Sequence, residues 1–289
     1  MGSVRNLNGT KAPLTISVTS GKGGVGKTLT TVNLAVAARR MGRTVLILDG
    51  DLGLANVDVV LGLKARYNIS DVIGGAAALK DIIVAGPLGI DLIPSGSGVS
   101  SLTQLSNLQK QQILDQIGAI DRAYDLVIID TGAGIADTVT HFNMAADQIV
   151  VVTTPEPHAM TDAYALIKVL AEEHGAKSFN LLVNQTRSPD EGLKVAERIA
   201  EVAVRYLKVR VNHLINVPFD PAVPKSVMQR RAASAESTHT IAGQAWAEAA
   251  RRLFDMAAAP LGVGKARDGS FWMSLLENDV STRATRYGF

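Results

Sequence analysis

The 289-residue sequence contains no cysteine. Disulfides, thiolate metal sites and cysteine-held clusters are therefore excluded. Aromatic residues make up only 4% against a 47% hydrophobic share, so a core must be built from Val, Ile, Leu and Ala. Buried parallel strands favour those side chains. Charge of one sign is also scarce: 29 Lys and Arg against 27 Asp and Glu leave a net +2, too little to indicate nucleic acid by itself. No apolar run reaches the ~18 residues of a membrane span, and the polar start, residues 1–13, has no signal-peptide pattern. The expected location is the cytoplasm. His141, His158, His174, His213 and His239 are dispersed without metal-ligand spacing.

What is present is a glycine-rich stretch, Gly21-Lys22-Gly23-Gly24-Val25-Gly26-Lys27-Thr28, matching G-x-x-x-x-G-K-[ST]. Leu14 to Val18 before it reads as a buried strand, and Leu29 to Met41 after it as a helix ended by Gly42. In that context the glycines let backbone N–H groups wrap a polyphosphate, and the helix N-terminus adds its dipole. Lys27 is expected to reach the β- and γ-phosphates of ATP and the Thr28 hydroxyl to ligate Mg²⁺. Nucleotide contacts are assigned to Gly21, Lys22, Gly23, Gly24, Val25, Gly26, Lys27, Thr28 and Leu29. Lys22 is a second lysine that an ordinary phosphate loop does not need. It reads either as a solvated surface residue or as a group reaching phosphates bound by another subunit.

Carboxylates follow two further apolar runs. Thr44 to Leu48 is a strand-length run ending in Asp49, with Asp51 two residues on. At the carboxyl edge of a parallel sheet such groups sit beside the phosphates, where they hold Mg²⁺ through water or orient the attacking water. Strand-end cap and turn residue are the plain alternatives. Tyr124 to Asp130 has the form of a Walker B strand, with Asp130 expected on the metal through its water shell. The loop Thr131 to Ile135, rich in small residues, is suited to approach a γ-phosphate and to move when it leaves.

Further strands are expected at Ile90 to Pro94, Asp147 to Thr154, Asn180 to Gln185 and Val211 to Val217. Helices are expected at Leu105 to Arg122, His158 to His174, Pro189 to Tyr206 and His239 to Ala258, with a capped helical turn at Asn68 to Gly75. The alternation gives an α/β fold, a doubly wound, mainly parallel sheet of seven to eight strands. The expected division is a flexible segment 1–13, an ATPase domain 14–258 and a tail 259–289. Asn184, ending a strand, is either a partner for the adenine edge or a turn residue. In the tail, Phe271, Trp272, Leu275 and Leu276 share one helical face. Residues 268–280 read as a membrane-interface helix, a partner contact or a segment folded back on the core.

SGKGGVGKT at 20–28, LDGDLGLANVD at 48–58, LVIIDTGAGI at 126–135 and LLVNQ at 181–185 resemble the MinD/ParA family of dimerising P-loop ATPases. GDLGLANVD with DTGAGI and VNQ resembles more narrowly its flagellar-number branch, the FlhG (FleN, YlxH-like) regulators. The resemblance covers residues 14 to 258. It implies ATP and Mg²⁺ as cofactors and an ATP-bound homodimer with Lys22 reaching across it. It also implies a hydrolytic water positioned by Asp51 with Asp49 in support, and base-side contacts from Asn184, Pro218 and Asp220. Lys22, Lys27 and Asp51 are thus the expected catalytic groups, and Thr28, Asp49, Asp51 and Asp130 the expected metal-side groups. Implied partners are flagellar assembly proteins: an FlhF-like GTPase, C-ring components or a flagellar transcription regulator. A peripheral position at the inner face of the membrane is implied through the tail. Residues 1–13 lack the D-Q-A-x-x-L-R segment with which many FlhG proteins stimulate that GTPase. The rival readings are a MinD-like division-positioning ATPase, a metabolic enzyme of the same fold, a nucleotide-binding module without catalysis, and a ParA-type partition ATPase. The last would bind DNA nonspecifically through Arg205, Lys208, Arg210, Lys225, Arg230 and Arg231, which otherwise form a solvated basic face.

Overall fold

The structure, a computed structural model, describes residues 12–51, 57–94, 96, 106–118, 120, 123–229, 232, 240–258 and 271–276. Its strands are β1 (Leu14–Ser20), β2 (Val45–Gly50), β3 (Val84–Ala85), β4 (Asp91–Ile93), β5 (Leu126–Ala133), β6 (Gln148–Thr153), β7 (Ser178–Thr186) and β8 (Arg210–Pro218). They form one eight-stranded sheet in the order β3-β4-β2-β5-β1-β6-β7-β8. Every pairing is parallel except β3 with β4 at one edge. This is the doubly wound sheet expected from the alternating pattern, at the upper end of the expected strand count.

The helices are α1 (Lys27–Arg40), α2 (Val57–Leu61), α3 (Ile69–Ile73), α4 (Leu79–Ile82), α5 (Asn107–Gly118), α6 (Asp137–Ala145), α7 (Pro157–Glu172), α8 (Pro189–Val202) and α9 (Ala222–Met228), followed by Ile241–Ala258 and Phe271–Leu276. Two-residue periodicity splits the strands between the faces. Leu126 and Ile128 pack with Leu14, Ile16 and Val18 under α1 and the helix Ile241–Ala258. Val127 and Ile129 face the opposite side with Phe142 of α6. Beyond them Ile149, Val151, Phe179 and Leu181 meet α7 and α8. Trp246 is 1% exposed and fills the first of these clusters.

Local chemistry sets the boundaries. Asn68 Oδ1 accepts from Ser70 N, and Asp71 Oδ2 accepts from Asn68 N, which closes a capping box on α3. Ser188 Oγ accepts from Glu191 N at the start of α8, just before Pro189. Other boundaries differ from expectation. The Pro189–Tyr206 helix ends at Val202 and continues as a wider π-turn, Ala203–Leu207, closed by Lys208 in the left-handed region (φ 57°). The expected helix Leu105–Arg122 is described over Asn107–Gly118. α6 and the short β3 carry weak sequence signals. On α6 the buried face includes Thr140 and Asn143, which interrupt the apolar stripe.

The tail helix Phe271–Leu276 lies against α6 and α5. Phe271, Leu275 and Leu276 are buried in the cluster around Phe142 and Ile113. His141 Nε2 donates to the Leu275 carbonyl at 2.6 Å. Of the three placements open to this segment, folding back on the core is the one adopted.

Candidate nucleotide-binding site

β1 runs straight into the glycine loop, and α1 begins at Lys27, so the loop bridges a central strand and a helix N-terminus. Gly26 caps α1 in the left-handed region (φ 96°), a conformation few residues other than glycine adopt. A Cβ on Gly21 would collide with the Asp162 backbone carbonyl, so α7 crowds the loop from behind. Gly23 and Gly24 are exposed, while Val25 is buried. Ser20 Oγ donates to Lys22 O at 2.7 Å and steadies the turn out of β1.

The two lysines take opposite settings. Lys27 is 8% exposed. Burial lowers its pKa, and the carboxylates of Asp130 and Asp51 oppose that shift. It thus sits inside the site among the acids. Lys22 stays at the outer shoulder, its ammonium 3.2 Å from Glu156 Oε2 and its side chain 40% exposed.

The carboxylates converge because β2 lies beside β5. Asp49 pairs with Asp130 and Gly50 with Thr131 in the ladder. Burial, followed by the Asp130 charge, raises Asp49 to about 7, while the N–H groups of Asp51 and Val57 pull it down. Burial raises Asp130 to about 6, against the pull of the Thr28 and Thr31 hydroxyls and of Lys27. Thr31 Oγ1 donates to Asp130 Oδ1 at 2.9 Å. Asp51, partly exposed, lies close enough to Gly132 that a Cβ there would meet its Oδ1 at 3.7 Å. Gly134 N donates to Ser20 O, which ties the loop after β5 to the end of β1. Residues 52–56, which follow Asp51, lie outside the described residues, as does all of 95–99 except Gly96.

A metal fits this arrangement in a particular way. Among the described residues no group of three or more His, Asp or Glu forms a metal cage. Asp49 Oδ2 and Asp130 Oδ2 are instead buried without a hydrogen-bond partner among those residues. Such orphaned oxygens call for a cation or its water shell. Mg²⁺, which keeps its waters and arrives on phosphate oxygens, suits Thr28 and these two carboxylates.

The residues expected on the base side divide. Asn184 is buried, and its Nδ2 donates to Val25 O at 2.8 Å. Asp220 is 9% exposed; its oxygens accept from Ala222 N and Ala242 N, which caps the starts of two helices. Pro218 ends β8 and borders a cavity of about 420 Å³ with Thr186, His213 and Arg252. Leu29 is partly buried in the core of α1. The described basic residues are divided between the two ends of β8. Arg205 and Lys208 precede β8, Arg210 begins it and Lys225 follows it, at opposite ends of a nine-residue strand roughly 30 Å long. Arg230 and Arg231 lie outside the described residues.

Sequence reasoning missed Thr31 and Glu156. Thr31 lies one helical turn beyond Lys27, so the i, i+4 spacing on α1 was its available signal. Glu156 lies between two prolines with no such signal.

The profile of the AAA domain family matches residues 14–181. The antiactivator FleN of Pseudomonas aeruginosa is 43% identical over 217 residues, 75% of this chain and 78% of that one. The flagellum site-determining protein YlxH of Helicobacter pylori is 41% identical over 189 residues, 65% of this chain and 63% of that one. The septum site-determining protein MinD of Pyrococcus horikoshii, solved with Mg-ADP, superposes with a TM-score of 0.66. It is 27% identical and covers 85% of this chain and 98% of its own. With the loop, the inward lysine and the paired carboxylates in place, the chain belongs to the AAA-domain P-loop ATPases of the MinD/ParA type, alongside the FlhG-like flagellar regulators.

Proposed function

We propose that this chain is an ATPase whose ATP-bound homodimer acts as a switch for flagellum number or placement. The opposite settings of Lys22 and Lys27 carry the reading. Lys27, buried beside Asp130 and Asp51, serves the phosphates of its own nucleotide. Lys22, half exposed on the outer shoulder, is placed to serve phosphates held by a second copy.

In this reading the loop Gly21 to Thr28, with Leu29, holds the polyphosphate through N–H groups at the start of α1. Asp51 orients a water for in-line attack. The Thr28 hydroxyl and the Asp130 and Asp49 carboxylates would hold Mg²⁺. Bound Mg²⁺ neutralises charge that develops on the phosphate oxygens. Lys22 and Lys27 add fixed positive charge from either side, which is where phosphoryl transfer gains most of its acceleration. Loss of the γ-phosphate removes what Lys22 grips, and the dimer opens. Residues 14–258 form the ATPase unit, and 259–289 form an appended tail.

The flagellar role is drawn from FleN, an antiactivator, and YlxH, a flagellum site-determining protein. An antiactivator acts on an activator, so a flagellar transcription regulator is the favoured partner, ahead of C-ring components or an FlhF-like GTPase. A membrane contact through 268–280 is less favoured, because Phe271, Leu275 and Leu276 are committed to the core. Among the described residues no helix is long and apolar enough to cross a membrane.

Size-exclusion chromatography with ADP and with ATP, on wild type, Asp51→Ala and Lys22→Ala, tests the switch. The expected result is a dimer with ATP for wild type and Asp51→Ala, and monomer for Lys22→Ala. Monomer throughout, with ATP bound, sinks the proposal.

A further inference from the structure

We infer that Asn184 acts on the phosphate loop: it is a positioning residue that clasps the loop at Val25 and joins the end of β7 to the phosphate cradle. This deepens, and rests on, the nucleotide-binding reading above.

Three observations converge. First, both functions of the Asn184 amide are turned inward. Nδ2 donates to Val25 O at 2.8 Å, across 159 residues of sequence, and Oδ1 accepts from Gln185 N at 2.9 Å. The Val25 carbonyl can only accept and the Gln185 amide can only donate, so the orientation of the side chain is fixed by its partners. Second, contact with the loop is close: a Cβ on Gly26 would run into Asn184 Nδ2. Third, the backbone departs from a regular strand at this point. The β7–β8 register shifts between Asn184 and Thr186, and Gln185 is left-handed (φ 58°). Left-handed backbone is unfavourable for a residue with a Cβ, and a bulge re-aims neighbouring side chains. Such a departure persists where surrounding contacts enforce it.

The consequence follows from peptide geometry. The Val25–Gly26 peptide is planar and trans, so its C=O and N–H point in opposite directions. Holding the carbonyl toward Asn184 turns the Gly26 N–H away from Asn184, on the residue just before Lys27. It also keeps a carbonyl oxygen from turning toward phosphate, which would repel it. Without the clasp, Val25 O is an unsatisfied acceptor and this peptide is free to rotate. Phosphate binding then weakens whatever base is attached.

A base contact and a loop clasp separate on a ligand without a base. Calorimetric titration of the full chain with Mg-ADP and with Mg-pyrophosphate is compared for wild type and Asn184→Ala. Asn184→Leu, close in volume and without the donor, is the second variant should the alanine chain fold poorly. Loss of the clasp is expected to weaken both ligands by the same factor, about tenfold, the value of one buried hydrogen bond. The preference for ADP over GDP is expected to be unchanged. Weakened ADP with unaltered pyrophosphate, or a shifted ADP/GDP preference, overturns the inference in favour of a base contact. Unaltered affinity for both ligands overturns it as well. A wild-type chain that binds neither ligand removes the nucleotide reading and this inference together.

Discussion

Asp49 and Asp130 stand opposite each other on the neighbouring strands β2 and β5, each 1% exposed and each with an Oδ2 that has no hydrogen-bond partner among the described residues. Two carboxylates side by side in a dry site resist ionising together. Burial is the larger cause for both, and for Asp49 the Asp130 charge comes next. A cation beside the two oxygens would relieve that conflict.

The sign of the pH dependence follows. Both acids sit above their ordinary value of 3.8, Asp49 at about 7 and Asp130 at about 6. The folded state thus keeps protons that the unfolded chain has released. Their contribution to stability is full below the unfolded value and is lost as pH rises through about 6 to about 7. In chelator, without nucleotide, denaturant midpoints are expected to fall between about pH 5 and about pH 8, and Asp49→Asn is expected to flatten that slope. Equal slopes for wild type and variant would contradict the assigned ionisation.

Asp51 lies beside Gly132 near the carboxyl end of β5 and contributes to the field at Lys27. Asp51→Ala is expected to lower steady-state hydrolysis by about two orders of magnitude or more, the usual scale for a group that handles the attacking water. ATP affinity stays near that of wild type, and the ATP dimer outlives the wild-type one in chromatography. Hydrolysis within a factor of about two of wild type would remove Asp51 from this role.

The Lys22–Glu156 pair is solvent-exposed on both sides, at 40% and 69%. Exposed pairs contribute about 0–1 kcal/mol. Lys22→Ala should therefore leave thermal stability nearly unchanged while abolishing the ATP-dependent dimer. Glu156→Ala frees the lysine from its in-chain partner and should dimerise at least as well as wild type. A Glu156→Ala chain that stays monomeric with ATP would show the glutamate to be needed at the interface itself.

The tail helix is described over six residues, against the ~12–15 at which an isolated helix is marginal in water, and its buried face is held by packing. Leu275 is 2% exposed against α6. Leu275→Ala is expected to weaken docking by about 2–4 kcal/mol. Hydrogen exchange should then accelerate at 271–276 and around His141, with β1 and β5 unaffected. Unchanged exchange at 271–276 would show that the helix does not depend on this contact.

Much of the fold could be read from the chain. Leu126 to Ile129 are apolar without alternation because both faces of β5 are covered, and such a run signals a central parallel strand. The capping box at Asn68 and Asp71 and the Ser188-Pro189 helix start are local chemistry, visible without tertiary structure. α6 was hidden because polar Thr140 and Asn143 are buried on it, Asn143 donating to Thr19 and to its own helix at Val139 O. β3 is two residues long and exists through its pairing with β4.

The site divides along the same line. The sequence alone determined the glycine loop between β1 and α1 and the apolar runs that carry Asp49 and Asp130, although β5 runs on past Asp130 to Ala133, because residue type and spacing fix local backbone and side-chain face. Only the tertiary structure decided that β2 lies beside β5, which makes those acids cross-strand neighbours. It alone decided that Lys22 rests on Glu156, that Asn184 holds Val25 and that Phe271–Leu276 is folded back. These contacts join residues more than a hundred positions apart in three cases, 134 for Lys22 with Glu156, 159 for Asn184 with Val25 and 134 for His141 with Leu275. Periodicity says which face a side chain takes. Which distant face it meets is settled by strand order and core packing, and those depend on the whole chain at once.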